Sequence, residues 1–132
     1  MIKFCSLFSG SSGNSIFIGG NNAKIIIDAG MSGKKIIDAL LSIGENPKDL
    51  SAILVTHEHS DHTRGAGVLS RKLDVPIYAN EGTWNSMEND IGPIKTENKR
   101  YFTTGTEFNM GDICIKAFAI PQSEKPNEQA IF

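Results

Sequence analysis

The sequence predicts an α/β domain built on a mixed sheet with helices on one face. Three observations carry this. Near the start, two short apolar runs are joined by Gly19-Gly20-Asn21-Asn22, which is the pattern of a β-hairpin. Further on, apolar strand-like segments alternate with stretches of helical spacing, and that alternation implies a sheet covered by helices. Between them lies Ala52-Ile53-Leu54-Val55, an uninterrupted apolar run that reads as a buried strand.

The elements follow in order. Residues 2–8 are strand-like and end in the small-residue loop Ser9-Gly10-Ser11-Ser12-Gly13-Asn14-Ser15. The hairpin strands are 16–18 and 24–28. Ser32 or Gly33 caps a helix running to about Ile43, because Ile36, Ile37, Leu40 and Leu41 recur at helical spacing and Gly44 suits its end. Residues 47–50 form a turn into the strand 52–55. A short helix is expected over 65–73, a strand over 76–79, and a helix over 81–89 that carries the single tryptophan, Trp84. Residues 90–100 are polar, without a period, and read as a loop. Two strands, 106–109 and 113–120, flank the turn at Gly111-Asp112; residues 121–132 begin polar and finish on Ala130-Ile131-Phe132.

With 132 residues, 39% of them hydrophobic, the chain is read as one domain, 1–132, with a real core. A formal net charge of -2 argues against a domain-wide basic footprint but not against a local one. Cys5 and Cys114 lie far apart in strand-like segments, which suits reduced thiols in a cytoplasmic protein better than a disulfide framework. The apolar N-terminus is too short for a signal peptide and no segment approaches a membrane span, so the expectations are a cytoplasmic location and no membrane.

All three histidines fall in Thr56-His57-Glu58-His59-Ser60-Asp61-His62, directly after the buried strand. Imidazole is the commonest metal ligand, and a loop at the end of a strand lets such side chains converge. His57 and His59 suit one metal, Asp61 and His62 a second beside it. Neighbouring metals can share a hydroxide and make a nucleophile available near neutral pH, with Asp61 able to orient it.

The same run resembles the His-x-His-x-Asp-His signature of metallo-β-lactamase-fold hydrolases, and Asp28 matches that family's earlier aspartate. Three flanking stretches, Ser9 to Ser15, Asp28-Ala29-Gly30-Met31-Ser32-Gly33-Lys34 and Arg64-Gly65-Ala66-Gly67-Val68-Leu69-Ser70-Arg71-Lys72, resemble its YycJ/WalJ branch. The resemblance implies the N-terminal half of an αββα sandwich and a metal-dependent 5′ to 3′ DNA exonuclease. It makes His57, His59, Asp61 and His62 metal ligands, Asp61 also catalytic, and Asp28 a carboxylate that orients them. The implied cofactor is Zn2+, two ions in a complete site, with Mn2+ as an alternative, and the implied partner is DNA. Ser11, Ser12 and Asn14 border the site as candidate substrate contacts.

The family also has a third histidine for the first metal just after the strand ending at Ile120, and here Gln122 stands in its place. A bridging aspartate and a final histidine come from the family's C-terminal half. The expectations are therefore a chain truncated at its C-terminus, weak or substoichiometric metal binding, and an apolar sheet face left bare for self-association. An inactive remnant or partner-binding half-domain is the alternative function, and a small thioester or lactone hydrolase a further one. Gly30 to Lys35 fails the phosphate-loop pattern, since Asp28 stands where glycine and Lys35 where serine or threonine is required. Arg64, Arg71, Lys72, Lys95, Lys99 and Arg100 are candidate phosphate contacts. Trp84 could stack on a base, though a single helix tryptophan more often sits in the core.

Overall fold

A computed structural model of the chain describes residues 2–10, 13–57, 59–120 and 129–131, the side chains of Asp61 and of residues beyond Phe118 excepted. Strands β1 (Lys3–Phe8), β2 (Ser15–Gly19), β3 (Lys24–Ile27), β4 (Ala52–Leu54), β5 (Ile77–Ala79) and β6 (Lys99–Tyr101) form one sheet in that spatial order. β1, β2 and β3 pair antiparallel, whereas β3, β4, β5 and β6 pair parallel. The helices are α1 (Gly33–Ser42), α2 (Ser60–Thr63), α3 (Ala66–Leu73) and α4 (Glu81–Met87). A second pair, β7 (Glu107–Met110) and β8 (Ile113–Lys116), is an antiparallel hairpin, and β9 (Phe118–Ile120) pairs antiparallel with β10 (Gln129–Ile131).

The strand period of two divides the core. Phe17, Ile26, Ile53, Val55 and Ile77 point to the face that receives Ile36 and Leu40 of α1, Leu69 of α3, and Trp84 and Met87 of α4. The alternate residues Ile25, Ala52 and Leu54 point the other way and pack on Ile113 and Ile115 of β8. Both faces of β3 and β4 are thus buried, which is why these strands are apolar without alternation. The part of the face expected to lie bare that carries Ile25, Ala52 and Leu54 is covered by the hairpin β7–β8.

Ser32 is the cap of α1, its hydroxyl accepting the Lys35 N–H at 3.3 Å, and Gly44 takes the left-handed φ of 80° that ends it. Three boundaries differ from expectation. The segment read as a loop ends in β6, a polar edge strand held by its parallel pairing with β5. The helix read over 81–89 stops at Met87. The strand read over 113–120 breaks at buried Ala117, whose N–H donates to the Thr106 carbonyl at 3.2 Å and whose carbonyl accepts from the Gly105 N–H at 2.8 Å, turning the chain out of β8. No helix among the described residues is long and apolar enough to cross a membrane.

One carboxylate ties the second sheet to the first. Asp112, in the turn between β7 and β8, accepts the N–H of Asn21 at 2.6 Å and of Asn22 at 3.0 Å in the β2–β3 turn. These backbone donors, Asn22 first, hold its carboxyl below the usual aspartate range. A group depressed in the folded state stabilises the fold above its unfolded pKa, and that contribution disappears as pH falls through the folded value. Asp112→Asn is therefore expected to lower Tm at pH 7, with the gap to wild type closing below about pH 4; thermal melts across pH 2–7, read by circular dichroism, check this.

Candidate metal centre

The site is assembled at the C-terminal ends of β3 and β4. Asp28 follows β3 directly and sits in the left-handed region at φ 65°, a conformation aspartate tolerates better than most side chains. Its N–H donates to the Leu54 carbonyl at 2.7 Å, as though the sheet continued for one more bond. Asp28 is 5% exposed, and its charge is met by convergent donors. Oδ1 accepts the Thr56 N–H at 2.8 Å, and Oδ2 accepts the Thr56 hydroxyl at 2.7 Å and faces Nδ1 of His62 at 2.5 Å.

These bonds fix the tautomers. The Thr56 hydroxyl has one proton and gives it to Asp28, so at 3.0 Å from Nδ1 of His57 it acts as acceptor and His57 carries its proton on Nδ1. His62 likewise presents an Nδ1 proton to the Asp28 carboxylate. In each ring Nε2 is then the nitrogen left to face outward, the arrangement in which an oxygen behind the imidazole orients it for a metal in front. Nε2 of His62 receives Nδ2 of Asn14 at 3.4 Å.

The loop bends back so that the rings meet. α2 begins at Ser60, and the His62 N–H donates to the His59 carbonyl at 2.8 Å. The His62 carbonyl accepts the Ala29 N–H at 2.8 Å, which fastens α2 to the segment after β3. Ring centroids of His57 and His62 lie 3.7 Å apart and those of His57 and His59 4.9 Å apart. Gly65 makes the close approach possible: a Cβ there would lie 2.2 Å from the Met31 carbonyl oxygen. The glycine/serine loop is fastened as well, since the Gly30 N–H donates to the Asn14 carbonyl at 2.9 Å and Nδ2 of Asn14 donates to the Gly10 carbonyl at 3.0 Å.

Of the residues singled out from the sequence, Asp28, His57, His59, His62 and Asn14 are brought together. Ser11, Ser12, Gln122 and the carboxylate of Asp61 lie outside the described residues. Among those described, no three His, Cys, Asp or Glu side chains form a complete metal-holding group. By donor chemistry the imidazoles fit zinc, and their back-side oxygens fit such a role, as one wall of a site. Thr56 had no assigned role in the sequence, although a hydroxyl at the end of a wholly apolar strand, next to a histidine, was the available signal.

Most of the candidate phosphate contacts are engaged elsewhere. Arg71 donates from Nη1 to the carbonyls of Ile91 at 2.8 Å and Pro93 at 3.0 Å. Lys95 pairs with Asp74, Lys99 with Glu88, and Arg100 Nε donates to the Glu97 carbonyl. Trp84 is fully buried and offers no face to a base.

This fold and this donor arrangement define a class. The family model of the metallo-beta-lactamase superfamily matches residues 9–121, and the chain belongs to that superfamily, whose members characteristically hold metal ions. Over 120 residues it is 48% identical to the exodeoxyribonuclease WalJ of Streptococcus pneumoniae, covering 89% of this chain and 45% of that protein. It is 49% identical over 120 residues to the exodeoxyribonuclease YycJ of Bacillus anthracis, covering 90% and 45%. The chain thus spans under half the length of these relatives. A subclass B3 metallo-beta-lactamase of Bradyrhizobium japonicum superposes with a TM-score of 0.68 at 23% identity, over 82% of this chain and 46% of that one, and shares the fold.

Proposed function

We propose that the chain carries the histidine wall of a metal-dependent phosphodiesterase that acts on DNA from a 5′ end. The observation that carries the reading is the buried Asp28 carboxylate, which organises Thr56 and His62 together. The similarity to two exodeoxyribonucleases supports the choice of substrate.

His57 and His62 would hold metal through Nε2, the nitrogen that faces away from Thr56 and Asp28, with His59 and Asp61 completing the set and Asp61 orienting the attacking water. When bound, the metal ions, Zn2+ or Mn2+, polarise a phosphate oxygen and lower the pKa of water toward neutrality. The protein's own contribution is positional. Asp28 locks the His62 ring, Thr56 relays that hold to His57, and Asn14 keeps a polar amide against the Nε2 side of His62. Asn14 borders this wall, and the hydroxyls of Ser11 and Ser12, its near neighbours in sequence, would be available to a phosphate.

The test is nucleotide release from 5′-phosphorylated duplex DNA by the zinc- or manganese-supplemented chain. We expect release by wild type and a loss of roughly 10²-fold or more in Asp61→Asn, the scale of a removed acid–base group. An equal rate in the variant would overturn the assignment. Turnover of a thioester or lactone without turnover of DNA would move the function to a small-molecule hydrolase, and metal binding with no turnover at all to a partner-binding role.

A further inference from the structure

α3 and the turn before it present a narrow cationic stripe that the site itself does not use. Along residues 64–72 the exposed positions are Arg64, Val68, Arg71 and Lys72, and every residue between them is buried. The period is that of one helix face. Arg71 on its flank is tied to carbonyls of the 91–93 segment, but Arg64 and Lys72 are not. Val68, midway between them, is 46% exposed.

The start of α1 abuts this stripe. A Cβ on Gly33 would lie 2.8 Å from Cγ1 of Val68, and one on Gly65 would lie 3.0 Å from the Gly33 nitrogen. The next two residues, Lys34 and Lys35, are exposed. They occupy the first turn of α1, where no acidic residue balances them and where the helix dipole disfavours cations; Asp38 lies one turn on. Several lysines elsewhere are neutralised: Lys3 and Lys24 pair with Glu45, Lys95 with Asp74 and Lys99 with Glu88. Among the described residues Lys34, Lys35, Arg64 and Lys72 enter no ion pair. Lys48, Lys116 and Arg100 also lack an ion pair elsewhere, but these four cations lie along α3 and at the start of α1 that abuts it, and Arg64 stands two residues after His62.

We infer that Arg64 and Lys72 along α3, with Lys34 and Lys35 beside them, form the track that carries the backbone of a DNA strand to or from the histidine wall. This rests on the phosphodiesterase reading and adds where the strand runs. At 1.5 Å per residue the interval from Arg64 to Lys72 covers about 12 Å, roughly three to four nucleotides of a B-form strand at about 3.4 Å each. Val68 between the cations supplies an apolar rest for sugars, while charge alone sets the affinity, so binding along the track is independent of sequence.

The test uses the whole chain with Arg64→Glu and Lys72→Glu combined, two surface changes remote from the core. Affinity for a 5′-phosphorylated duplex is measured by fluorescence anisotropy over a range of salt, alongside zinc content and turnover of bis(p-nitrophenyl) phosphate, a diester too small to reach the track. The expected result is DNA binding weakened roughly tenfold or more, with the slope of log affinity against log salt reduced by about two, one for each lost phosphate contact. Zinc content and small-diester turnover stay at wild-type levels. Unchanged affinity and slope in the double variant, or wild-type binding without salt dependence, overturns the track. Absent small-diester turnover together with lost DNA binding overturns the phosphodiesterase reading and leaves a cationic DNA-binding face.

Discussion

Asp28→Ala is expected to lower stability by roughly 3–5 kcal/mol, the cost of stripping one partner from a buried charged group. Two separate effects lead there. Alanine leaves the Thr56 N–H and hydroxyl and the His62 Nδ1 proton without their common acceptor, and unsatisfied buried donors cost about 1–3 kcal/mol each before relaxation. It also places a residue with no local hydrogen-bonding side chain at φ 65°, a further cost of about 1–2 kcal/mol. Asp28→Asn separates these effects from function. Asparagine tolerates the left-handed backbone and keeps an oxygen for the Thr56 N–H, but its amide nitrogen cannot accept from the Thr56 hydroxyl or the His62 Nδ1. Its melting temperature is expected between those of Asp28→Ala and wild type, with metal affinity lowered about 10–100-fold. Urea denaturation of both variants checks the difference in stability.

Trp84→Ala is expected to cost roughly 3–5 kcal/mol, the range for emptying a buried aromatic site. Trp84 is fully buried in the helix-side core. Its Nε1 donates to the Arg100 carbonyl at 2.6 Å, and the Lys99 ammonium stands 5.4 Å from the ring centroid. Trp84 therefore fastens α4 to β6, the strand with the fewest apolar residues. Loss of this anchor is a large share of the 5–15 kcal/mol that holds a typical domain together. Trp84→Phe keeps most of the volume but not the N–H, and is expected to recover more than half of the loss. Chemical denaturation followed by circular dichroism compares the three proteins. Equal stability of Trp84→Ala and wild type would mean that α4 is not fastened in this way.

The parallel core was legible because burial on both faces leaves a signature along the chain itself: β3 and β4 contain almost nothing but isoleucine, leucine and alanine. α1 was legible to its capping residue, since Ser32 and Gly44 are local devices. β6 was not, because Lys99-Arg100-Tyr101 has no strand pattern of its own and is extended only by pairing with β5, whose residues lie some twenty positions earlier. The break at Ala117 was hidden for a similar reason, as its partners Gly105 and Thr106 are distant in sequence. The covering of Ile25 and Leu54 by β8 could not be read from either segment alone.

At the site, the histidines and Asp28 were visible as residue types at telling positions. What stayed hidden was the direction of the hydrogen bonds. That Asp28 holds Thr56 twice, and that Thr56 thereby sets the tautomer of His57, depends on the positive φ at Asp28 and on α2 folding back, and neither has a local sequence signal. Arg64 and Lys72 could be named from the sequence only as candidates, among others that proved to be tied to carboxylates or carbonyls, and Lys34 and Lys35 were not singled out as phosphate contacts.

In the proposed site Asp28 arranges the histidines to hold metal. A zinc titration of the metal-free chain and of Asp28→Asn, followed by isothermal calorimetry at pH 7, tests it most directly. Wild type is expected to bind zinc, with affinity about 10–100-fold lower in Asp28→Asn at unchanged secondary structure. Equal zinc affinity in the two proteins would contradict it.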